Sequence, residues 1–103
     1  MSQQKMCCGG TSGEKSPTPE IQQMAESLKS QIEEKANKTF AVFVVKSFKS
    51  QVVSGTNYFM KIHVGGEDYL HARIFEDLPC RDSKLELAAI KTDKLHHDEI
   101  IYF

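Results

Sequence analysis

Cysteine and histidine are the residues of this sequence whose side chains could act together as a nucleophile and a base. The chain has three cysteines, Cys7, Cys8 and Cys80, and four histidines. Thiol hydrolases use a thiolate activated by an imidazole to attack a carbonyl carbon. Cys80 with a histidine is therefore one candidate for chemistry, that of a small thiol hydrolase.

The run His96-His97-Asp98-Glu99 is a second candidate, because imidazole and carboxylate groups are common zinc ligands. Adjacent residues of an extended chain point to opposite sides, so His96 and His97 do not readily share one ion. The run is more typical of a polar segment that precedes a final apolar strand. The sequence therefore predicts neither a metal site nor a cofactor.

The composition indicates one small domain without a strong charge bias. The chain has 103 residues, of which 40% are hydrophobic and 26% are charged, which is enough for one core and too few for two. Its 13 Lys and Arg and 14 Asp and Glu give a formal net charge of −1. Such a chain has no field that attracts nucleic acid or an anionic membrane, so neither is an expected partner.

Residues 1–17 have the composition of a mobile N-terminal arm, rich in Gly, Ser and Gln and without a hydrophobic period. They lack the apolar stretch of a signal peptide, and no later run is long enough to cross a bilayer. The odd number of cysteines, two of them adjacent, predicts free thiols in a reducing compartment. We expect a cytoplasmic protein that is small enough to reach the nucleus.

One amphipathic helix is predicted after the arm. Thr18-Pro19-Glu20 combines an N-cap residue, a proline at the first helical position and an acid in the first turn, and Asn37 is the predicted end. The apolar residues between recur every three or four positions and form one face of the helix: Ile21, Met24, Ala25, Leu28 and Ile32.

The rest of the chain has the pattern of antiparallel β-structure. Residues 40–49, 56–64 and 69–75 are rich in β-branched and aromatic residues, and 85–90 with 100–102 are predicted to form a last, interrupted strand. The alternation breaks at Val44-Val45-Lys46, as it would at a β-bulge. One helix followed by four to five such strands predicts an α+β domain with the sheet wrapped around the helix.

Two loops are predicted to lie at the same edge of this sheet. The first loop is residues 51–55, and the second loop is residues 78–83. Strand 56–64 leaves the first loop and reverses at a Gly-Gly turn, so the next strand returns to the edge where the second loop begins. The pairs Val52-Val53 and Leu78-Pro79 would then form an exposed apolar ridge, a shape that enters another protein's cleft instead of enclosing a substrate. The alternative is a hairpin whose valines fold back onto the core.

With this arrangement the sequence resembles the cystatins, which inhibit papain-like cysteine proteases. The first loop fits the Q-x-V-x-G loop of that family, and SFKSQVVSGTNYF, the Leu78-Pro79 pair and the ending HDEIIYF are similar to its stefin branch. The resemblance extends from about Met6 to Phe103. The secreted branch has a tryptophan in its second loop, whereas this chain has no Trp.

The resemblance implies the cystatin fold and tight, reversible inhibition of papain-like proteases, lysosomal cathepsins included, with no bond formed or broken. A wedge of three parts, an N-terminal trunk and the two loops, would occupy the protease cleft. Its protease-binding residues would be Cys8, Gly9 and Gly10 in the trunk, Gln51, Val52, Val53, Ser54 and Gly55 in the first loop, and Leu78, Pro79 and Cys80 in the second loop.

Two features depart from the stefin pattern. A histidine follows Leu-Pro in that branch, so Cys80 lacks the size and hydrogen bonds of an imidazole and predicts a weaker contact by the second loop or a changed selectivity. Residues 1–5 extend beyond the short stefin arm, and they either protrude harmlessly or collide with proteases whose cleft is partly occluded. The competing hypothesis is a non-inhibitory interaction module that keeps the cystatin fold.

A monomer is expected, with two routes to a dimer. If the first loop straightened near Val53, the helix and the first strand could be exchanged between two chains in a domain swap. Cys7 and Cys8 on an exposed arm could instead form a disulfide between chains.

Overall fold

The computed structural model describes residues 13–101 and residue 103. Its elements are α1 (Pro19–Ser27), α2 (Lys29–Ala36), β1 (Val44–Val53), β2 (Gly55–Gly65), β3 (Asp68–Glu76), a 3₁₀ turn (Pro79–Arg81) and β4 (Leu85–Lys94). The strands form one antiparallel sheet in the order β1-β2-β3-β4. The predicted α+β class is confirmed. None of the helices in these residues is long and apolar enough to cross a membrane.

The predicted single helix is divided into two segments at Leu28. The Thr18 side chain caps α1 as predicted, with its Oγ1 accepting a hydrogen bond from the Ile21 N–H at 3.2 Å. The Leu28 N–H donates to the Ala25 carbonyl at 3.1 Å, a three-residue spacing that tightens the backbone locally. The Ile32 N–H still donates to the Leu28 carbonyl at 2.9 Å, so α2 follows α1 directly. The spacing of the apolar residues does not reveal this break, because Leu28 is buried in the core just as it would be in a continuous helix.

The apolar stripe of the two helices packs against one face of the sheet. Its residues Ile21, Ala25, Leu28 and Ile32 are all buried. The sheet contributes a matching set of buried side chains to the same core: Val45, Phe48, Met60, Ile62, Leu70, Ala72, Ile74 and Leu87. The pairing of β1 with β2 shifts between Val45 and Ser47, which confirms the bulge at the break in alternation.

The Gln22 side chain joins α1 to the residues that enter β1. Its Nε2 donates to the Phe43 carbonyl at 2.9 Å, and its Oε1 accepts from the Val45 N–H at 2.8 Å. One amide thus satisfies two backbone groups that the sheet leaves unpaired at this point.

We expect Gln22→Leu, which keeps the size of the side chain and loses both hydrogen bonds, to lower the free energy of unfolding by about 1–3 kcal/mol. Urea denaturation measures this change. Gln23→Leu is the matched control, because Gln23 is exposed and substitutions at such positions usually change stability by less than about 0.5 kcal/mol. Equal losses in the two variants would show that Gln22 has no special role.

The residues after β4 cover the face of the sheet that points away from the helices. The prediction that Ile100 and Ile101 continue the last strand is wrong, because β4 ends at Lys94 and neither isoleucine is in a strand. The Lys61 Nζ instead donates to the His96 carbonyl at 2.6 Å, and Ile100 is fully buried. The Phe103 ring packs edge-on against Phe59, with centroids 5.7 Å apart. The apolar residues that signal a strand in the sequence serve here to bury the outer face of the sheet.

The end of the predicted arm pairs with the free edge of β1. The Lys15 N–H donates to the Phe48 carbonyl at 2.8 Å, and the Phe48 N–H donates to the Lys15 carbonyl at 3.0 Å. Because this bridge is antiparallel, Glu14 and Gly13 lie on the side of Lys15 that faces the first loop. Cys8, Gly9 and Gly10 lie outside the described residues.

Candidate functional site

The first loop is a tight hairpin tip between β1 and β2. Val53 pairs with Gly55 across the ladder, so Ser54 is the single residue at the tip. Gly55 has a φ angle of 119°, which residues with a side chain rarely adopt. The turn therefore lies where the sequence predicted it.

Val52 and Val53 are exposed to solvent at this tip. Their exposed fractions are 66% and 38%, respectively. The structure thus contradicts the alternative in which both valines fold back onto the core. Val side chains are stiff at χ1 and lose little entropy when a partner buries them. Two rigid apolar side chains in water are suited to binding a second protein.

Gln51 lies beneath the tip. It is only 4% exposed, and its Oε1 accepts a hydrogen bond from the Asn57 Nδ2 at 3.0 Å. Asn57 is its direct partner on β2, so the two amides tie the strands together just below the valines. Among the first-loop residues predicted to bind a protease, the structure places Gln51 in a supporting position.

The first loop also rests on the end of β3. A Cβ atom added at Gly55 would lie 2.6 Å from the Glu76 carbonyl oxygen and 2.6 Å from Cζ of Phe75. Both distances are shorter than any normal carbon contact. A side chain at this position would push the tip away from β3.

We expect Gly55→Ala to destabilise the protein by about 1–3 kcal/mol more than Gly65→Ala in thermal or urea denaturation. Gly65 has nearly the same φ angle, 121°, but a Cβ atom added there would meet only open space. The comparison separates the collision with β3 from the strain of the backbone angle. Equal destabilisation would mean that the tip does not pack on β3 in solution.

The second loop is held by its own hydrogen bonds. The Asp77 Oδ1 accepts from the Leu78 N–H at 2.8 Å, and the Leu78 carbonyl accepts from the N–H groups of Arg81 and Ser83 at 2.8 and 3.1 Å. Pro79 begins the 3₁₀ turn. Asp77 was not among the residues predicted from the sequence, although an Asp immediately before a turn often accepts a hydrogen bond from the turn backbone.

The two loops are neighbours, as the strand topology predicted. Val52 and Val53 of the first loop and Leu78 and Pro79 of the second loop line one shallow open groove at this end of the sheet. Leu78 is half-buried, whereas Pro79 and Cys80 are exposed. The two loop tips that flank this groove together form an apolar ridge at this end of the sheet, and a free thiol lies beside it.

The histidines that suggested a thiol hydrolase do not lie in this ridge. His63 is next to the β2–β3 turn at the opposite end of the sheet, with its Nε2 2.8 Å from the Gly66 carbonyl oxygen. The His96 ring packs against Tyr69, with centroids 5.5 Å apart. The thiol of Cys80 lies in the second loop, which follows the other end of β3.

The two acidic side chains of the run 96–99 make contacts within the protein. The Asp98 Oδ2 accepts from the Leu95 N–H at 2.8 Å, and this hydrogen bond lowers the pKa of Asp98. Glu99 lies 3.5 Å from the Lys49 Nζ. Within residues 13–101 and 103, no three His, Cys, Asp or Glu side chains are grouped so that they could hold a metal ion.

A buried polar row, which was not predicted from the sequence, crosses the outer face of the sheet. Ser47, Lys61 and His71 are partners across β1, β2 and β3, and each is at most 8% exposed. The Ser47 Oγ and the His71 Nε2 have no hydrogen-bond partner among the described residues. Burial, followed by the nearby charge of Lys61, lowers the pKa of His71 to about 4.

Comparisons with known proteins identify the family. The family model of the cystatin domain matches residues 9–97. Cystatin-B of Homo sapiens is 51% identical over 98 residues, which cover 95% of this chain and 100% of that protein. Cystatin-B of Sus scrofa and of Paralichthys olivaceus are 49% and 47% identical with the same coverage. The matched region includes both loops and the whole four-stranded sheet. The chain therefore belongs to the cystatin family.

Proposed function

We propose that the chain inhibits papain-like cysteine proteases by inserting its two exposed loops into the active-site cleft. Its family membership makes it a cysteine protease inhibitor and not an enzyme. The observation that carries the proposed wedge is the exposure of Val52 and Val53 beside Leu78 and Pro79 at one end of the sheet. A protruding apolar ridge fits a concave partner.

The rigidity of the ridge supports tight binding. Interfaces of ordinary size, roughly 800 Å² per partner, range from weak to very tight because ordering the contact residues costs free energy. Here the first loop has a single tip residue, and the second loop has hydrogen bonds of its own. Little ordering is left for the protease to impose, and the inhibition needs no covalent step.

We infer that the trunk residues Cys8, Gly9 and Gly10 provide the third contact. The antiparallel bridge of Lys15 with Phe48 supports this, because it directs Glu14 and Gly13, the last described residues on this side, towards the first loop. Glycine lets a backbone pass close to a cleft wall. We expect removal of residues 1–10 to weaken binding to papain.

Lysosomal cathepsins are the proposed partners, and the cytoplasm, with access to the nucleus, is the proposed location. The folded monomer is the proposed inhibitory form. The tip between β1 and β2 consists of Ser54 alone, so a domain swap that straightened it would remove the inhibitory loop. A disulfide through Cys7 or Cys8 would leave both loops intact but would alter the trunk, so we expect such a dimer to inhibit more weakly than the monomer.

A wedge that excludes substrate does not need the protease nucleophile. We therefore expect the chain to bind two forms of papain with similar affinity. In one form the active-site thiol is free, and in the other it carries a small methylthio group. Binding is measured by the change in intrinsic fluorescence on mixing or by calorimetry. A requirement for the free thiolate would indicate covalent inhibition and would overturn the proposed mechanism.

A further inference from the structure

Tyr58 and Glu76 connect the two strands that carry the loops. Tyr58 is near the start of β2, shortly after the first loop, and Glu76 is the last residue of β3, shortly before the second loop. The Tyr58 hydroxyl donates to the Glu76 Oε1 at 3.2 Å. The direct strand partners are Thr56 with Glu76 and Tyr58 with Ile74, so this hydrogen bond runs diagonally across the ladder.

The contact between Tyr58 and Glu76 links three strands, β1, β2 and β3, at this end of the sheet. The Tyr58 ring lies against Phe48 of β1, with centroids 6.2 Å apart, while its hydroxyl is bonded to β3. Glu76 also supplies the carbonyl oxygen against which Gly55 is packed. Glu76 borders the groove between the loops, together with Val53 and Leu78. A change at either end of the contact therefore alters the support of both loops.

The Tyr58 hydroxyl remains protonated at neutral pH and can therefore act as the hydrogen-bond donor. Burial first, and then the negative charge of Glu76, raise the pKa of Tyr58 above its ordinary value. The phenol thus keeps its proton at neutral pH and donates a hydrogen bond to the Glu76 side chain, and the 3.2 Å separation is longer than that of a strong charge-assisted bond.

We infer that Tyr58 and Glu76 are positioning residues that fix the second loop relative to the first. This rests on the proposed function, because the role concerns the shape of the wedge. Neither side chain is required to touch the protease. Without the hydrogen bond both loops remain, but the end of β3 is less restrained, and the protease must order the second loop as it binds.

The test compares papain inhibition by the intact chain with that of Tyr58→Phe, Glu76→Ala and Glu76→Gln. We expect Tyr58→Phe and Glu76→Ala each to weaken inhibition about 3- to 10-fold through faster dissociation, and the double variant to be no weaker than either. Glu76→Gln keeps an acceptor and should restore most of the affinity. Tyr69→Phe, at the opposite end of the sheet, is the control and should inhibit like the parent.

Two further readouts separate positioning from general stability. Leu78→Ala should weaken papain inhibition by a smaller factor in the Tyr58→Phe background than in the parent. If Tyr58 contributed only to general stability, the two factors would be equal. Amide hydrogen exchange of Arg81 and Ser83, whose N–H groups donate to the Leu78 carbonyl, should be faster in Tyr58→Phe.

The outcomes are distinct. Exchange and inhibition that are both unchanged in Tyr58→Phe would overturn the positioning role while the inhibitor proposal stands. If the parent chain itself does not inhibit papain, the proposed function fails, and so does a positioning role in inhibition. In that case faster exchange would show only that the pair orders the loop.

Discussion

Val53→Asp is expected to weaken papain inhibition by a factor of about 100 or more, because a carboxylate would be buried without a partner at the centre of an apolar interface. The side chain of Val53 is 38% exposed in the free protein. The substituted chain should therefore fold normally, and the loss should lie in binding. Equilibrium inhibition constants measured with a peptide substrate give the ratio.

Val44→Asp is the matched control for this variant. Val44 is 43% exposed and lies at the other end of β1. A strand rises about 3.3 Å per residue, so the two valines are roughly 30 Å apart. We expect Val44→Asp to inhibit papain like the parent. A similar loss in both variants, or no loss in Val53→Asp, would show that the first loop is not the contact surface.

Acidification is expected to destabilise the protein through His71. The pKa of His71 is lowered from 6.5 to about 4 in the fold. Between these values the unfolded chain binds a proton that the folded chain does not, so the free energy of unfolding falls as the pH falls. At about 1.4 kcal/mol per unit the loss approaches about 3 kcal/mol at pH 4. Above pH 6.5 the contribution of this residue is constant.

The surroundings of His71 explain why its pKa is lowered. Burial disfavours the imidazolium most, Lys61 and Lys94 add to the effect, and the carboxylates of Asp98 and Glu14 oppose it. Urea denaturation between pH 7 and pH 4 measures the slope. His71→Gln should have a smaller slope than the parent in this window, whereas His97→Gln, at an exposed position, should keep the parental slope. Parental slopes in both variants would refute the role of His71.

The arrangement of the loops could be predicted from the sequence because it depends on local signals. Glycine and serine mark the turns, period-two alternation marks β2 and β3, and antiparallel order then places the two loops at one edge. The exposure of Val52 and Val53 follows from that position. These features need no knowledge of which side chains meet across the core.

The remaining features depend on contacts between residues that are distant in sequence. Ile100 has the residue type of a strand, and only the free outer face of the sheet explains why it is buried outside one. His71 lies within an ordinary alternating strand, so its burial follows from the segment that covers it. The diagonal bond of Tyr58 to Glu76 requires the register of β2 and β3. The sequence pattern predicts which residues share a face of a strand or helix and where the chain turns. It does not predict which of these distant side chains contact each other.

The most direct test is a titration of active-site-calibrated papain with the intact, reduced and monomeric chain. We predict a linear loss of activity that ends at one molecule of the chain per active protease, with uncleaved chain recovered when the complex dissociates. Full papain activity in the presence of the folded monomer would contradict the wedge and would favour a non-inhibitory interaction module with the cystatin fold.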